Sequence, residues 1–355
     1  MTAHSTPRHR LLVDEVRAIV VSILINMNNS LLNKLAAAAL AVTLATSCGA
    51  STADSGDNNA KAQAVTAALP QCSGDSAMVL VVKQCDMGPR VPGTEAHARC
   101  ATWLKDRLAS LADTVIEQQA PVTTFDGTRL TARNIIAAFN PEAAQRILLL
   151  SHYDCRPWAD HDPDAARRRD PVMGANDGAS GTAVLLELAR VMRDKKPSIG
   201  IDILLVDVED WGDSDSDAPD SWALGTQYWA EHPHVAGYKP MMAILLDMVG
   251  AKGATFMREQ FSDYYAGDIV NLVWRKARAA GAGNLFVNSV GGAVNDDHVP
   301  LLQAGIPAID IIDLRPGSDH GFFPHWHTTA DTPDKLDPAT LQAVGNTLLA
   351  VIYNQ

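Results

Sequence analysis

Apolar positions recur along this chain with two different periods, and the periods divide it into strands and helices. The run Ile201-Asp202-Ile203-Leu204-Leu205, closing in Val206-Asp207-Val208-Glu209-Asp210-Trp211-Gly212, has the length of a buried strand that gives way to a polar loop. Asn134 to Phe139, Ile147 to Ser151, Ala243 to Met248 and Pro307 to Ile312 read the same way. Between them the spacing turns helical. Thr94 with His97 opens an amphipathic helix carrying Ala98, Trp103, Leu104 and Leu108, and Gly181 to Met192 presents Val184, Leu185, Leu188 and Val191. Further helices are predicted near Leu224 to Glu231, Val270 to Ala280 and Pro338 to Tyr353. Val122 to Thr131 alternates around Asp126-Gly127, a hairpin turn signal. Strands alternating with helices predict an α/β fold whose mostly parallel sheet is covered on both faces. No repeat and no break in composition follows residue 70, so 71–355 reads as one domain.

The first 70 of the 355 residues do not share this pattern. Residues 1–26 have no clear role and read as an upstream extension, with Met27 as the expected true start. Met27-Asn28-Asn29-Ser30-Leu31-Leu32-Asn33-Lys34 followed by the apolar stretch Leu35 to Thr46 has the form of an export signal. Ala45-Thr46-Ser47-Cys48-Gly49 resembles a bacterial lipoprotein cleavage site, so 27–48 would be removed up to a lipidated Cys48, and 49–70 would act as a tether. This predicts an exported protein, periplasmic or anchored to a membrane. An ordinary signal cleaved nearby and an uncleaved anchor are the other readings, and mature protein beginning elsewhere than Cys48 excludes lipidation.

The formal charge of −12 argues against a nucleic-acid surface. No later run is long and apolar enough to span a bilayer as a helix. Apart from Cys48, the cysteines are Cys72, Cys85, Cys100 and Cys155. In an exported protein these permit two disulfides of unfixed pairing, or four buried thiols; their spacing is not that of a metal site.

Chemistry-bearing residues gather where the expected strands end, the usual place for a site in an open α/β sheet. Ser151-His152-Tyr153-Asp154 follows one strand, Glu209-Asp210 a second and Asp247-Met248-Val249-Gly250 a third. Gly174-Ala175-Asn176-Asp177-Gly178-Ala179-Ser180-Gly181 forms a turn before a helix, and Trp326-His327-Thr328 precedes Asp331. Singly, each has a plain explanation: a helix cap for Asp177, a satisfied core histidine for His152, a strand terminator for Asp247, a surface loop for His327. Together they offer imidazole and carboxylate ligands suited to a catalytic Zn²⁺ with an open position.

In these segments, taken in order and spacing, residues 80–355 resemble the zinc aminopeptidase superfamily. Within it the chain is similar to glutaminyl-peptide cyclotransferases (glutaminyl cyclases) of the animal type, as found in bacteria. The stretches that carry this are Arg156-Pro157-Trp158-Ala159-Asp160, Val208 to Gly212, Ser221 to Trp229, Leu246 to Ala251, Asp296-Asp297-His298 and Trp326-His327-Thr328. The resemblance implies a single domain with a mixed, mostly parallel sheet of the phosphorylase/hydrolase-like type. It also implies an acyltransferase that turns the N-terminal glutamine of peptides or proteins into pyroglutamate. Asp177, Asp210 and His327 would hold one Zn²⁺, and Glu209 would carry the proton. Asp247 and Asp296 would share a proton beside the substrate. Trp326 would pack against the substrate, with Trp211 and Trp222 as further aromatic candidates. His152, a ligand of a second metal in aminopeptidases, and His298, read as an orienting residue, would stand behind them. The Asp after Glu209 departs from the Glu of animal relatives.

Two other readings remain at the level of sequence. All six positions used by a two-zinc aminopeptidase are present: His152, Asp177, Glu209, Asp210, Asp247 and His327. A binding protein on a decayed peptidase fold is the alternative of another class, and it is disfavoured because no expected ligand is missing. The polar loop from Arg156 to Asp170, with Arg167-Arg168-Arg169, reads as a rim around substrate entry.

Overall fold

The computed structural model describes residues 69–216 and 218–353. The upstream extension, the export signal with Cys48, and the tether except Leu69 and Pro70 lie outside the described residues. The elements are α1 (Gly74–Cys85), α2 (Glu95–Ala109), β1 (Thr114–Thr123), β2 (Arg129–Phe139), β3 (Arg146–His152), α3 (Ala179–Asp194), β4 (Gly200–Val206), α4 (Leu224–Glu231), β5 (Met242–Asp247), β6 (Phe256–Arg258), α5 (Gln260–Ala279), β7 (Phe286–Val290), α6 (His298–Gln303), β8 (Ala308–Ile312) and α7 (Pro338–Tyr353).

The main sheet runs β1-β2-β4-β3-β5-β8. The hairpin β1–β2 is antiparallel and so is β2 on β4, whereas β4, β3, β5 and β8 are mutually parallel. Parallel register brings His152 beside Val206 and Asp247 beside Ile312, so one edge of the sheet collects the carboxyl ends of all four strands.

Both faces are covered, as the apolar runs require. Ile147 and Leu149 of β3, with Ile203, Leu205, Ile244 and Leu246, point into a core roofed by α1, α2, α3, α5 and α7. Their neighbours Leu148, Leu150, Leu204, Val206 and Leu245 point the other way, onto Trp229 of α4 and Leu301 of α6. Each such aliphatic side chain contributes about 1.5–3 kcal/mol on burial. Asp202, a charge inside the β4 run, is fully buried but paired: Arg146 donates to both its oxygens (2.6 and 2.7 Å) and Tyr238 donates at 2.6 Å.

Local signals account for several boundaries. Thr94 caps α2, its hydroxyl accepting from His97 N, and Asp126-Gly127 turns the β1–β2 hairpin with Gly127 at φ 83°. Helix α5 starts at Gln260 rather than Val270, because the buried Glu259 carboxylate caps it by accepting from Phe261 N and Ser262 N (2.9 and 2.7 Å). Helix α1, the short α6 and the two-stranded β6–β7 pair have no counterpart among the expected elements. No disulfide forms among Cys72, Cys85, Cys100 and Cys155: all four are free and buried. Among the described residues no helix is long and apolar enough to cross a membrane.

Candidate metal centre and substrate cavity

Each parallel strand delivers a reactive side chain to the same edge. Strand β3 ends in His152, β4 leads through Val206-Asp207-Val208 to Glu209 and Asp210, and β5 ends in Asp247. The turn before α3 supplies Asp177, the segment before α6 supplies Asp296, and the chain after β8 supplies Trp326 and His327. Asp177, Glu209, Asp210, Asp247, Asp296, Trp222, Trp326 and His327 all line one cavity of about 230 Å³. Its remaining wall is largely apolar, with Met248, Val294, Ile312 and Phe322.

The backbone is bent to achieve this. Val208, Ala223, Met248 and His327 all have left-handed φ, between 49° and 56°, and each adjoins or is a cavity residue. For a β-branched residue such as Val208 this is costly, on the order of 1–3 kcal/mol. Neighbouring hydrogen bonds hold it: Leu224 N donates to Val208 O (3.0 Å), Ala223 N to Glu209 O (3.1 Å), and Val208 N to Asp207 Oδ1 (2.9 Å). Two glycines are needed for space. A Cβ on Gly178, at φ 97°, would sit 2.4 Å from Asp154 O, and one on Gly212 would sit 1.9 Å from the Trp222 ring.

Asp177 joins two possible ligand sets. His327 Nε2 lies 3.2 Å from Asp210 Oδ1 and 3.8 Å from Asp177 Oδ2. On the other side, His152 Nε2 lies 3.2 Å from both Asp177 Oδ1 and Asp247 Oδ1. Tetrahedral zinc, with bonds of about 2.0–2.2 Å, sets its ligand atoms roughly 3.3 Å apart, so both sets fit in distance. Asp210 Oδ2 is buried without a hydrogen-bond partner, which suits an acceptor reserved for a cation. The open wall also matters: Asp177, Asp210 and His327 all face the cavity, whereas His152 does not line it.

Buried carboxylates brace the ligand-bearing loops. Asp331 accepts from the backbone N–H of Asn176 (2.8 Å) and Asp177 (3.0 Å). Asp154 accepts from Glu209 N (3.3 Å) and Asp210 N (3.2 Å). Asp160 Oδ1 faces His327 Nδ1 at 3.3 Å. Arg156 and Asp160 therefore correct the expectation of a mere rim, because Arg156 is fully buried beneath the ligands. Polar residues at the head of a charged loop carry no sequence signal of burial. Asp331 and Asp154 were visible in the motifs but without any bracing role.

Crowding of acids shifts their proton affinities. Burial, followed by the charges of Asp296, Asp210 and Asp297, pushes Glu209 well above the usual carboxyl range. Burial, with Asp177 and Asp296 nearby, raises Asp247 to about 8, and burial also raises Asp296 and Asp210. Burial disfavours charge on His152, but hydrogen bonds to Asp154, Asp177 and Asp247 outweigh it and raise its pKa. A dication near these groups opposes the carboxyl shifts.

Asp247 and Asp296 both line the cavity, and Asp296 is near enough for its charge to help raise Asp247. Asp247 contacts His152, while Asp296 adjoins the fully buried Asp310 of β8. Both oxygens of Asp310 and Oδ2 of Asp296 make no hydrogen bond, Asp310 Oδ2 faces His298 Nδ1 at 4.0 Å, and burial with the charges of Asp296 and Asp247 raises the Asp310 carboxyl. Asp310, hidden as one acid in the apolar run Ala308–Ile312, escaped the sequence reading. His298 orients rather than faces the cavity: its Nε2 pairs with Glu259 Oε2 at 3.1 Å.

The aromatic candidates separate. Trp326 stacks on the His327 ring at 3.8 Å and is backed by Phe322 and His161, each at 4.6 Å. Trp222 lies parallel to His327 at 6.1 Å on another wall. Trp211 lies outside the cavity lining; it packs edge-on against Trp158 and donates weakly to Asp126 at 3.4 Å.

A mostly parallel α/β sheet with this acid and imidazole cluster at its carboxyl edge matches one family. The profile of Peptidase family M28 covers residues 134–352, and the chain belongs to that family. Among solved structures it is similar to a glutaminyl cyclase from Tannerella forsythia, with 48% identity over 81% of this chain and 100% of that one, at a TM-score of 0.79. A glutaminyl cyclase from Bacteroides thetaiotaomicron, bound to N-acetylhistamine, matches at 44% identity with the same coverage and TM-score. Among curated relatives, the glutaminyl-peptide cyclotransferase of Bos taurus is 25% identical over 294 residues, 73% of this chain and 76% of the relative.

Proposed function

We propose that this chain is a zinc-dependent glutaminyl-peptide cyclotransferase that converts the N-terminal glutamine of peptides or proteins into pyroglutamate and ammonia. The reading rests on one zinc held by Asp177, Asp210 and His327. The observation that carries it is the cavity, where that ligand set, the protonatable Glu209 and an apolar aromatic wall converge on a space for one side chain. Likeness to two bacterial glutaminyl cyclases over nearly their whole length supports it. When bound, zinc supplies Lewis-acid polarisation of the side-chain amide carbonyl.

The rest falls to the protein. Trp326, Phe322 and Ile312 enclose the glutamine side chain and restrict it to a folded shape, which supplies orientation. The substrate's α-amino nitrogen attacks its own side-chain amide carbon. A carbon–nitrogen bond forms there, and the bond to the terminal amide nitrogen breaks. Glu209 accepts the proton that the amine sheds and returns it to the departing nitrogen, which leaves as ammonia. Asp247 and Asp296, which both line the cavity, are the polar groups available to hold the amine and amide N–H groups. The export signal and Cys48 belong to the same proposal as an address outside the cytoplasm.

Incubating zinc-loaded protein with one peptide beginning in Gln and another beginning in Leu tests the reading. Ammonia and pyroglutamate from the first are expected. Free leucine from the second, without cyclisation of the first, overturns it in favour of the aminopeptidase.

A further inference from the structure

Arg156 is an unusual residue to find wholly buried, and every one of its contacts leads toward the metal ligands. Its Nη1 donates to Asp210 O at 3.2 Å and to Asp210 Oδ1 at 3.4 Å. Its Nε and Nη2 form a two-pronged pair with Asp160, at 2.9 and 2.7 Å. Nη2 also reaches Gly212 O (3.2 Å) and Ser214 Oγ (2.5 Å), and Ser214 Oγ donates on to Asp160 Oδ2 at 2.8 Å. The guanidinium lies between the rings of Trp158 and Trp222, 5.1 and 4.9 Å from their centroids.

Asp160 then continues the chain to His327. A histidine that coordinates through Nε2 carries its proton on Nδ1, and that N–H needs an acceptor to fix the ring. His327 Nδ1 is buried and makes no well-aligned hydrogen bond, and Asp160 Oδ1 is the carboxylate that faces it at 3.3 Å. We infer that Arg156 and Asp160 are positioning residues that clamp two of the three zinc ligands, Asp210 directly and His327 through the Asp160 carboxylate. The inference rests on the reading of Asp177, Asp210 and His327 as the zinc site.

Charge makes the clamp distinguishable from an ordinary buried ion pair. A cation so close to Asp210 Oδ1 repels a dication, so on Coulomb grounds alone removing Arg156 would tighten zinc binding. Positioning predicts the reverse. It also explains why the residue is arginine: only a planar five-donor fork reaches Asp160 twice, Asp210, Gly212 and Ser214 while stacking between two indoles.

Zinc dissociation constants from competition with a chromogenic chelator test this on the full protein. Arg156→Gln, which removes the cation that charge alone says should be lost to tighten zinc binding, and Asp160→Asn are each expected to weaken it by about 10- to 100-fold. Asp160→Asn weakens a buried ion pair, so the thermal midpoint of its apo form is expected to fall as well, and zinc affinity is compared at a temperature below both midpoints. Asp160→Asn keeps the shape of the site, so it carries the test if Arg156→Gln does not fold. Unchanged or tighter zinc binding in Asp160→Asn overturns the clamp. His327→Ala is the control. If it retains zinc at full affinity, the metal site itself has been misread; if it loses zinc while Asp160→Asn does not, the clamp alone fails.

Discussion

Asp177 stands between two sets of ligands of the same chemical kind. Its Oδ2 faces His327 and Asp210, and its Oδ1 faces His152, which in turn reaches Asp247. Distances do not tell the two sides apart, but their surroundings do. The His327 side opens to the cavity and is backed by a cation–carboxylate pair. On the His152 side, a fully buried imidazole contacts two carboxylates and leans on a third, Asp154, at 3.6 Å. Asp247 there is raised to about 8 by burial and by the neighbouring acids Asp177 and Asp296. Donor identity makes both sites possible, and burial with neighbouring acids raises Asp210 of the one set as it raises Asp247 of the other.

Glu209 gives the largest way to sharpen this contrast, since it belongs to neither set. Glu209→Gln is expected to lower turnover by about 10²- to 10⁴-fold while zinc content stays unchanged, measured by ammonia release and elemental analysis. Full activity in that variant removes its role as proton carrier. The contrast itself is broken or upheld by the two histidines. His152→Ala should change zinc affinity far less than His327→Ala does. A stoichiometry of two that drops to one in His152→Ala would make the sides equivalent and the site a two-metal one.

The smallest expected effect is on pH dependence. Glu209 accepts a proton only when ionised, and its carboxyl is pushed up by burial and then by Asp296. kcat/KM should therefore fall as pH drops through that raised pKa. Asp296→Asn removes one of the raising charges, so the acid limb should move to lower pH. A limb that stays put shows that Asp296 does not act on Glu209 through its charge.

The residues differ sharply in how legible they were from sequence. Helices α4 and α7 occur at the expected Leu224–Glu231 and Pro338–Tyr353, because periodicity and punctuation agree there. Helix α1 was missed: its core Ala77-Met78-Val79-Leu80-Val81-Val82 is a continuous apolar run without a readable period. Glu209, Asp210 and Asp247 were visible because strand ends announce themselves, Asp177 and His327 because they join them in polar turns, and Asp296 only through the family resemblance. Arg156, Asp160 and Asp310 were not, since a buried charge is written in the same letters as a solvated one. Only three-dimensional partners distinguish them, and those partners lie far along the chain, as His327 does from Asp160.

The four unpaired thiols carry a consequence of their own. Burial pushes Cys72 to about 12 and Cys85 and Cys100 to about 11, and Cys155 is also raised, so their thiolates are scarce in the folded state. Folding owes nothing to oxidation, and a reducing buffer removes no covalent support. Because Cys72 precedes α1, Cys85 ends it and Cys100 lies in α2, alkylation of these thiols would report any opening of that roof from the sheet. The molecule thus carries a built-in clock for its own opening, set apart from the edge where the metal and substrate meet.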